Sequence, residues 1–243
     1  MSTEAELREE LATLTRILAM RGLLELHGHV SVYDPDAGRI YMCPGMGWDK
    51  ANTGPYDHFV FDPQGNIVEG QGRRPPLEWP IHTAIHAARP DARAVAHLHS
   101  PWATLFAVAH REFRPVLIPG SMFADGVPLY AERRLITTTE RGRRLVAVLG
   151  QRPAALLRGH GVVVAAENIP ELLYAAIMLE DNARAAVQAA ALGDPDFIDA
   201  EECAAIEADG APFAIRARLA WSYFAHLEAR WDRQGPVGAG PLA

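Results

Sequence analysis

The chain is short of lysine, cysteine and long apolar runs, and each shortage excludes something. Lys50 is its only lysine, so arginine carries almost all of the positive charge. Lys and Arg together number 23 against 30 Asp and Glu, a net charge of −7 at pH 7. That balance argues against a nucleic-acid partner, because phosphate backbones are bound by clustered cations. A Schiff-base mechanism requires a desolvated lysine, so Lys50, in a Gly/Trp loop, would be its sole carrier. Two cysteines, Cys43 and Cys203, cannot build a disulfide framework and point to a reducing compartment. No apolar run approaches the roughly 20 residues of a membrane helix. The opening MSTEAELREELATL has acids where a signal peptide has a basic patch and an apolar stretch. A soluble, cytoplasmic chain with no membrane partner is expected. There is no internal repeat, no GxGxxG and no GxxxxGK[ST], so no nucleotide cofactor is expected.

What remains is ordinary globular material. The 243 residues are 49% hydrophobic and 22% charged, enough for a sizeable core and against intrinsic disorder. Leu7, Leu11, Leu14, Ile17 and Leu18 recur at helical spacing over residues 4–21, with Gly22 as the stop. Val30, Val32, Ile40 and Met42 alternate around Asp34-Pro35-Asp36-Ala37-Gly38, which predicts a hairpin. A second hairpin is predicted around Pro63-Gln64-Gly65-Asn66. Arg73-Arg74-Pro75-Pro76 reads as a rigid basic loop ahead of a helix over 77–88. A strand follows in ARAVAHLHS, then helices from Trp102 to about Ala109 and over 136–150 (ITTTERGRRLVAVLG), capped by Thr138 or Thr139. ALLRGHGVVVAA reads as one strand kinked at Gly159-His160-Gly161. Long helices are expected from Asn168 to Leu192, ended by Gly193, and over about 212–231. Strands cluster centrally and lack strict βαβ alternation, which favours one α/β or α+β domain over a doubly wound fold.

The residues suited to chemistry lie around His97 and His99. A strand has a side-chain period of two, so both imidazoles should leave the same face of a sheet. His160, between two glycines, can bring a third ring, and Glu78 can add a carboxylate. Three neutral nitrogens and a carboxylate describe a divalent-cation site with a position open to substrate. A single histidine on an apolar strand is more often a satisfied core or surface residue. Two at i and i+2 would bury two polar rings at once, and a metal is the simplest shared reason. A rival set, Glu78, His82 and His86, sits at helical spacing of four. A helix face turned to solvent accounts for His82 and His86 equally well.

The order Glu78, His97-x-His99, then Arg158-Gly159-His160-Gly161 resembles the class II aldolase/adducin family. The resemblance runs from the first helix to about Gln188, through HGHVSVYDP, PLEWPIHTAIHAARPDARAVAHLHS and LLRGHGVVVAAENIPELLYAAIMLEDNARA. It implies a single α/β/α domain with a central, mostly antiparallel sheet flanked by helices, here over 1–232, followed by a mobile tail at 233–243. It also implies a homotetramer with active sites at subunit interfaces. By that resemblance His97, His99 and His160 are ligands of one divalent metal ion (Zn, Mn, Fe or Co). Glu78 is the acid/base residue and a candidate fourth ligand.

Departures from the family pattern bear on substrate. The sugar-phosphate aldolases bind phosphate through Gly-Asn-x-Ser, where this chain has Gly28-His29-Val30-Ser31. Their Thr-Gly becomes Gly45-Met46, and the two serines before the glutamate become Pro76 and Leu77. Without those donors a phosphate dianion is poorly paired. Their acid tyrosine also lacks a match: its segment reads Val116-Leu117-Ile118-Pro119, and Tyr130 looks like a packing residue. The pattern is closer to the branch of metal-dependent decarboxylases and non-phosphorylated aldolases. The expected substrate is a small aromatic or heteroaromatic hydroxy-carboxylate, cleaved at a C–C bond through an enolate or phenolate. His29 and Trp48 would line its pocket, with Arg73 or Arg74 at a carboxylate. Alternatives are a sugar-phosphate aldolase, a non-haem iron oxygenase built on two His and a Glu, and a non-catalytic adducin-like module.

Overall fold

A computed structural model describes residues 3–70 and 74–234. Eight strands form one sheet in the order β4-β3-β2-β1-β5-β8-β7-β6. In chain order they are β1 (His29–Asp34), β2 (Arg39–Met42), β3 (Phe59–Phe61), β4 (Ile67–Glu69), β5 (Ala94–Leu98), β6 (Leu129–Tyr130), β7 (Ala154–Leu157) and β8 (Gly161–Ala166). Every neighbouring pair is antiparallel except β6 with β7. The helices are α1 (Glu4–Met20), α2 (Trp79–Ala88), α3 (Ala103–Ala109), α4 (Thr139–Leu149), α5 (Ile169–Ala189), α6 (Ala200–Asp209) and α7 (Phe213–Gln234). The mixed α/β architecture expected from sequence is therefore present, and no described helix is long and apolar enough to cross a membrane. The tail expected at 233–243 lies, past Gln234, outside the described residues.

Period-two alternation divides the central strands between two cores. Val30, Val32, Ala94, Ala96, Leu98, Leu156, Val162 and Val164 face a large apolar cluster with α1, α3 and α5. Val95, Ala155, Leu157, Val163 and Ala165 face the other way, onto Ile81 and Ile85 of α2 and Leu145 and Leu149 of α4. Local chemistry sets the helix starts. Thr3 and Glu6 form a capping box on α1, Thr138 caps α4 and Asn168 caps α5. Pro80 lies in the first turn of α2, where its missing N–H costs nothing. Arg16 ties α1 to α7 through Glu228 at 2.6 Å.

Two expectations change. Residues 154–166 form a hairpin, β7 and β8, joined at Arg158-Gly159-His160, and not one kinked strand. The left-handed φ of +64° at Gly159 reverses the chain there. Helix α6 has no counterpart in the sequence reading, because Cys203 is its only fully buried residue and an apolar stripe is missing.

Candidate metal centre

The site forms where β1, β5 and β8 lie side by side. His29 of β1 pairs in register with His97 of β5, and His97 pairs with Val163 of β8. Their side chains share the face that carries Val95 and Val163, the face covered by α2. His99 stands just past the end of β5 and His160 in the turn before β8. Gly161 permits this approach. A Cβ there would stand 2.3 Å from the Leu98 carbonyl oxygen and 3.5 Å from Cε1 of His97.

The rings of His97, His99 and His160 sit with centroids 4.7–5.0 Å apart. One ligand nitrogen from each lies within 4.8 Å of the others, a spacing that can hold a metal ion. His97 Nδ1 donates to the Val162 carbonyl at 3.1 Å, which leaves Nε2 as a bare lone pair. That Nε2 is buried without a hydrogen-bond partner. An orphaned buried lone pair is costly in a folded protein, and a cation satisfies it. Burial, with His97 and His160 beside it, pushes His99 down to about 3, so its ring is neutral at pH 7. The donor set fits a divalent ion.

Glu78 closes the group from the residue before α2. Its Oε1 accepts the Ile136 backbone N–H at 2.7 Å. Its Oε2 faces His160 Nε2 at 3.3 Å and His97 Nε2 at 3.5 Å. Burial raises the Glu78 carboxyl, while positive charge and hydrogen bonding at the His160 and His97 nitrogens lower it well below the ordinary carboxylate range. A divalent cation held on those nitrogens would supply that same positive charge. Glu78 is thus a carboxylate at neutral pH. His29 forms a second group with Glu78 and His97, again with ligand atoms within 4.8 Å.

His82 and His86 do not face solvent. His82 is 0% and His86 5% exposed. His29 Nδ1 lies 2.6 Å from His82 Nε2, and Ser31 Oγ lies 2.6 Å from His82 Nδ1 and 2.9 Å from His86 Nε2. His86 Nδ1 ends the chain on the Ala92 carbonyl at 2.9 Å. Burial pushes His86 down to about 4 and, with neighbouring imidazoles, holds His29 and His82 well below the usual histidine range. Glu78, His82 and His86 therefore do not converge as a rival metal set: Glu78 joins the other histidines, while His82 and His86 are committed to hydrogen bonds.

The remaining expected residues are more scattered. Trp48 lines a surface cleft of about 440 Å³ with Leu24, Leu26 and Lys50, and none of His97, His99 and His160 lines it. Arg73 lies outside the described residues, and Arg74 is exposed. Lys50 is buried and donates to the Gly45 carbonyl at 2.8 Å. Gly45 packs on Pro76: a Cβ on it would lie 2.9 Å from the Pro76 Cα. Met46 and Leu77 are both 67% exposed. Tyr130 is buried in the core beneath α4, a packing residue as expected. Sequence reasoning passed over three contributors. His27 stacks on His99 at 5.1 Å, Ile136 holds Glu78 through its backbone, and Arg133 reaches the His160 turn, its Nε 3.9 Å from where a Gly159 Cβ would stand. Only the histidine-rich HGH of residues 27–29 carried a signal for any of them.

Known proteins resemble this chain over most of its length. Residues 9–187 match the sequence profile of the Class II Aldolase and Adducin N-terminal domain. A 3,4-dihydroxyphthalate decarboxylase of Arthrobacter keyseri is 30% identical, over 94% of this chain and 97% of its own length. Another 3,4-dihydroxyphthalate decarboxylase, of Rhodococcus jostii, is 34% identical over 76% of this chain and 81% of its own. Among solved structures, an L-fuculose 1-phosphate aldolase from Glaciozyma antarctica superposes with a TM-score of 0.81 at 25% identity, covering 95% of this chain and 94% of that one. Decarboxylases and aldolases alike break carbon–carbon bonds. The chain belongs to the class II aldolase and adducin family, as one of its carbon–carbon lyases.

Proposed function

We propose that the protein is a divalent-metal-dependent decarboxylase of a non-phosphorylated, hydroxylated aromatic carboxylate. The orphaned Nε2 of His97, inside a cluster of three imidazoles beside an ionised Glu78, carries the metal part of this reading. The two dihydroxyphthalate decarboxylases support the substrate class. The residue types at Gly45, Met46, Pro76 and Leu77 support it further, since they lack the hydroxyls with which the sugar-phosphate aldolases pair a phosphate dianion.

His97, His99 and His160 would hold the ion, with Glu78 as a fourth ligand when substrate is absent. A divalent cation supplies a sink for the negative charge that develops on a substrate oxygen as the C–C bond breaks. The chain's own groups do the rest. Val162 fixes the His97 ring as an Nε2 donor, and the Ile136 N–H pins Glu78 Oε1 so that Oε2 points at the cleft. Glu78 Oε2 would take the proton of the substrate hydroxyl as the phenolate forms and return it to the ring carbon that loses CO2. Arg133, at the rim of the His160 turn, meets a substrate carboxylate.

The test begins with metal analysis of the purified protein. A panel of ortho-hydroxylated aromatic acids and sugar phosphates is then assayed by CO2 release, carbonyl release and thermal shift. Aromatic acids should raise the unfolding temperature and release CO2 without oxygen uptake. Glu78→Gln should keep metal and lower turnover by about 10²-fold or more. A larger shift from a sugar phosphate, together with its cleavage, would replace this reading with an aldolase. Oxygen consumption with Fe(II) would replace it with an oxygenase.

A further inference from the structure

The residues of the metal centre are not held alike. His97 is fixed by its bond to the Val162 carbonyl, and Glu78 by the Ile136 N–H. Among the described residues the His99 ring makes only ring contacts: it stacks on His27 and meets His97 and His160 edge-on. The place of His99 is therefore set by its backbone, in the short link 99–102 between the end of β5 and the start of α3.

That link is gripped by one side chain of α5. Glu180 is 8% exposed and Ser100 1%. Glu180 Oε2 accepts the Ser100 hydroxyl at 2.5 Å and the Ala103 N–H at 3.1 Å. The Trp102 N–H lies 3.0 Å from Oε1 and 3.2 Å from Oε2. Pro101, between the two held residues, has its own φ locked by its ring, so little freedom is left to the link. A helix start does not require such a device. Helices α1, α4, α5 and α6 are capped locally, by Thr3, Thr138, Asn168 and Asp199. Helix α3 begins at Trp102 with no side-chain cap of its own, and the carboxyl group that meets its N–H groups comes from 77 and 78 residues away. Burying a carboxyl group is unfavourable unless its oxygens are bonded. What Glu180 adds over a local Ser or Asp is the bond to Ser100, the residue that follows His99.

We propose that Glu180 is a positioning residue of the metal centre: through Ser100 it holds the His99 backbone so that this ring meets the ion shared with His97 and His160. The proposal rests on the metal reading above and extends it to a residue outside the ligand cluster. Partners that orient a ligand without touching the metal typically change affinity by about 10- to 100-fold when removed.

The experiment measures Zn(II) affinity by chelator competition, and the visible absorption of the Co(II)-loaded protein. It compares the full-length wild type with Ser100→Ala, Glu180→Gln, their double variant and Phe106→Leu. Ser100→Ala removes the bond beside His99 and leaves both backbone N–H groups on Glu180. It should bind Zn(II) about 10- to 100-fold more weakly, with Co(II) bands changed in position or intensity. Glu180→Gln should do the same, and the double variant should be no worse than the weaker single one, because both cut one link. Phe106→Leu loosens α3 inside the apolar core, so it should unfold at a lower temperature with the wild-type affinity and spectrum. Wild-type affinity in Ser100→Ala beside a weakened Glu180→Gln would reduce Glu180 to a cap on α3 and overturn the proposal. An equal loss in Phe106→Leu would overturn it too, since affinity would then follow stability alone. If Glu180→Gln does not fold, Ser100→Ala decides the question by itself. A wild type that binds no divalent ion would defeat the metal reading and this proposal together. A wild type that binds, with both single variants as tight, would defeat the proposal alone.

Discussion

The two faces of the central sheet are built from adjacent residues of the same strands, yet they bury different chemistry. On one side Val30, Ala96, Leu98 and Val164 meet α1, α3 and α5 in a dry core. On the other, the alternate residues His29, Ser31 and His97 meet Glu78, His82 and His86 from α2 and the residue before it. The first face is stabilised by area removed from water, which tolerates many apolar substitutions of similar volume. The second is stabilised only if every polar atom finds a partner, so it specifies one arrangement of rings and protons. The orphan on that face, His97 Nε2, is where the cation would sit.

Breaking the comparison on its polar side should give the largest effect. His97→Ala is expected to lose bound metal and all measurable activity while remaining folded. Metal analysis beside circular dichroism checks it, and full occupancy in the variant would refute the site. On the dry side, Leu172→Ala opens a cavity at a residue with 0% exposure. It should cost about 2–5 kcal/mol of stability and leave metal stoichiometry unchanged. Chemical denaturation with metal analysis would show the opposite pattern if the two faces shared one role.

Acid should sharpen the contrast. His86 has a folded-state value of about 4 against 6.5 for the free side chain. A depressed folded value means that its stabilising contribution is complete above 6.5 and is lost as pH falls towards 4, because the unfolded chain takes up the proton first. The loss is on the order of 3 kcal/mol for this ring alone. His29 and His82, also depressed, act in the same direction. The urea midpoint should therefore fall steeply between pH 6.5 and pH 4. It should fall less in His86→Gln, and an equal fall in both proteins would place the acid sensitivity elsewhere.

Much of this molecule is legible in its periodicities. The amphipathic spacing of α1, the turn residues of the β1–β2 and β3–β4 hairpins and the Asn168 cap of α5 are local signals, and the elements form where those signals lie. The order of Glu78, His97, His99 and His160 also singles out the residues that the fold gathers into one cluster. The β7–β8 turn escaped because Gly-His-Gly permits a kink and a reversal alike, and the pairing that decides between them lies along the whole length of two strands.

The amino-acid order by itself determined which residues alternate, which turns close and which side chains can bind a cation, since these depend on neighbours a few positions away. Only the tertiary structure decided what His82 and His86 are for. Their helical spacing fits a solvent face, a metal pair or a hydrogen-bonded line equally well. What selects the last is Ser31, 51 and 55 residues away in sequence, whose hydroxyl sits between the two rings. The partner of a buried polar atom is fixed by which strand lies beneath which helix, and that is set by burying the sheet's two apolar faces at once.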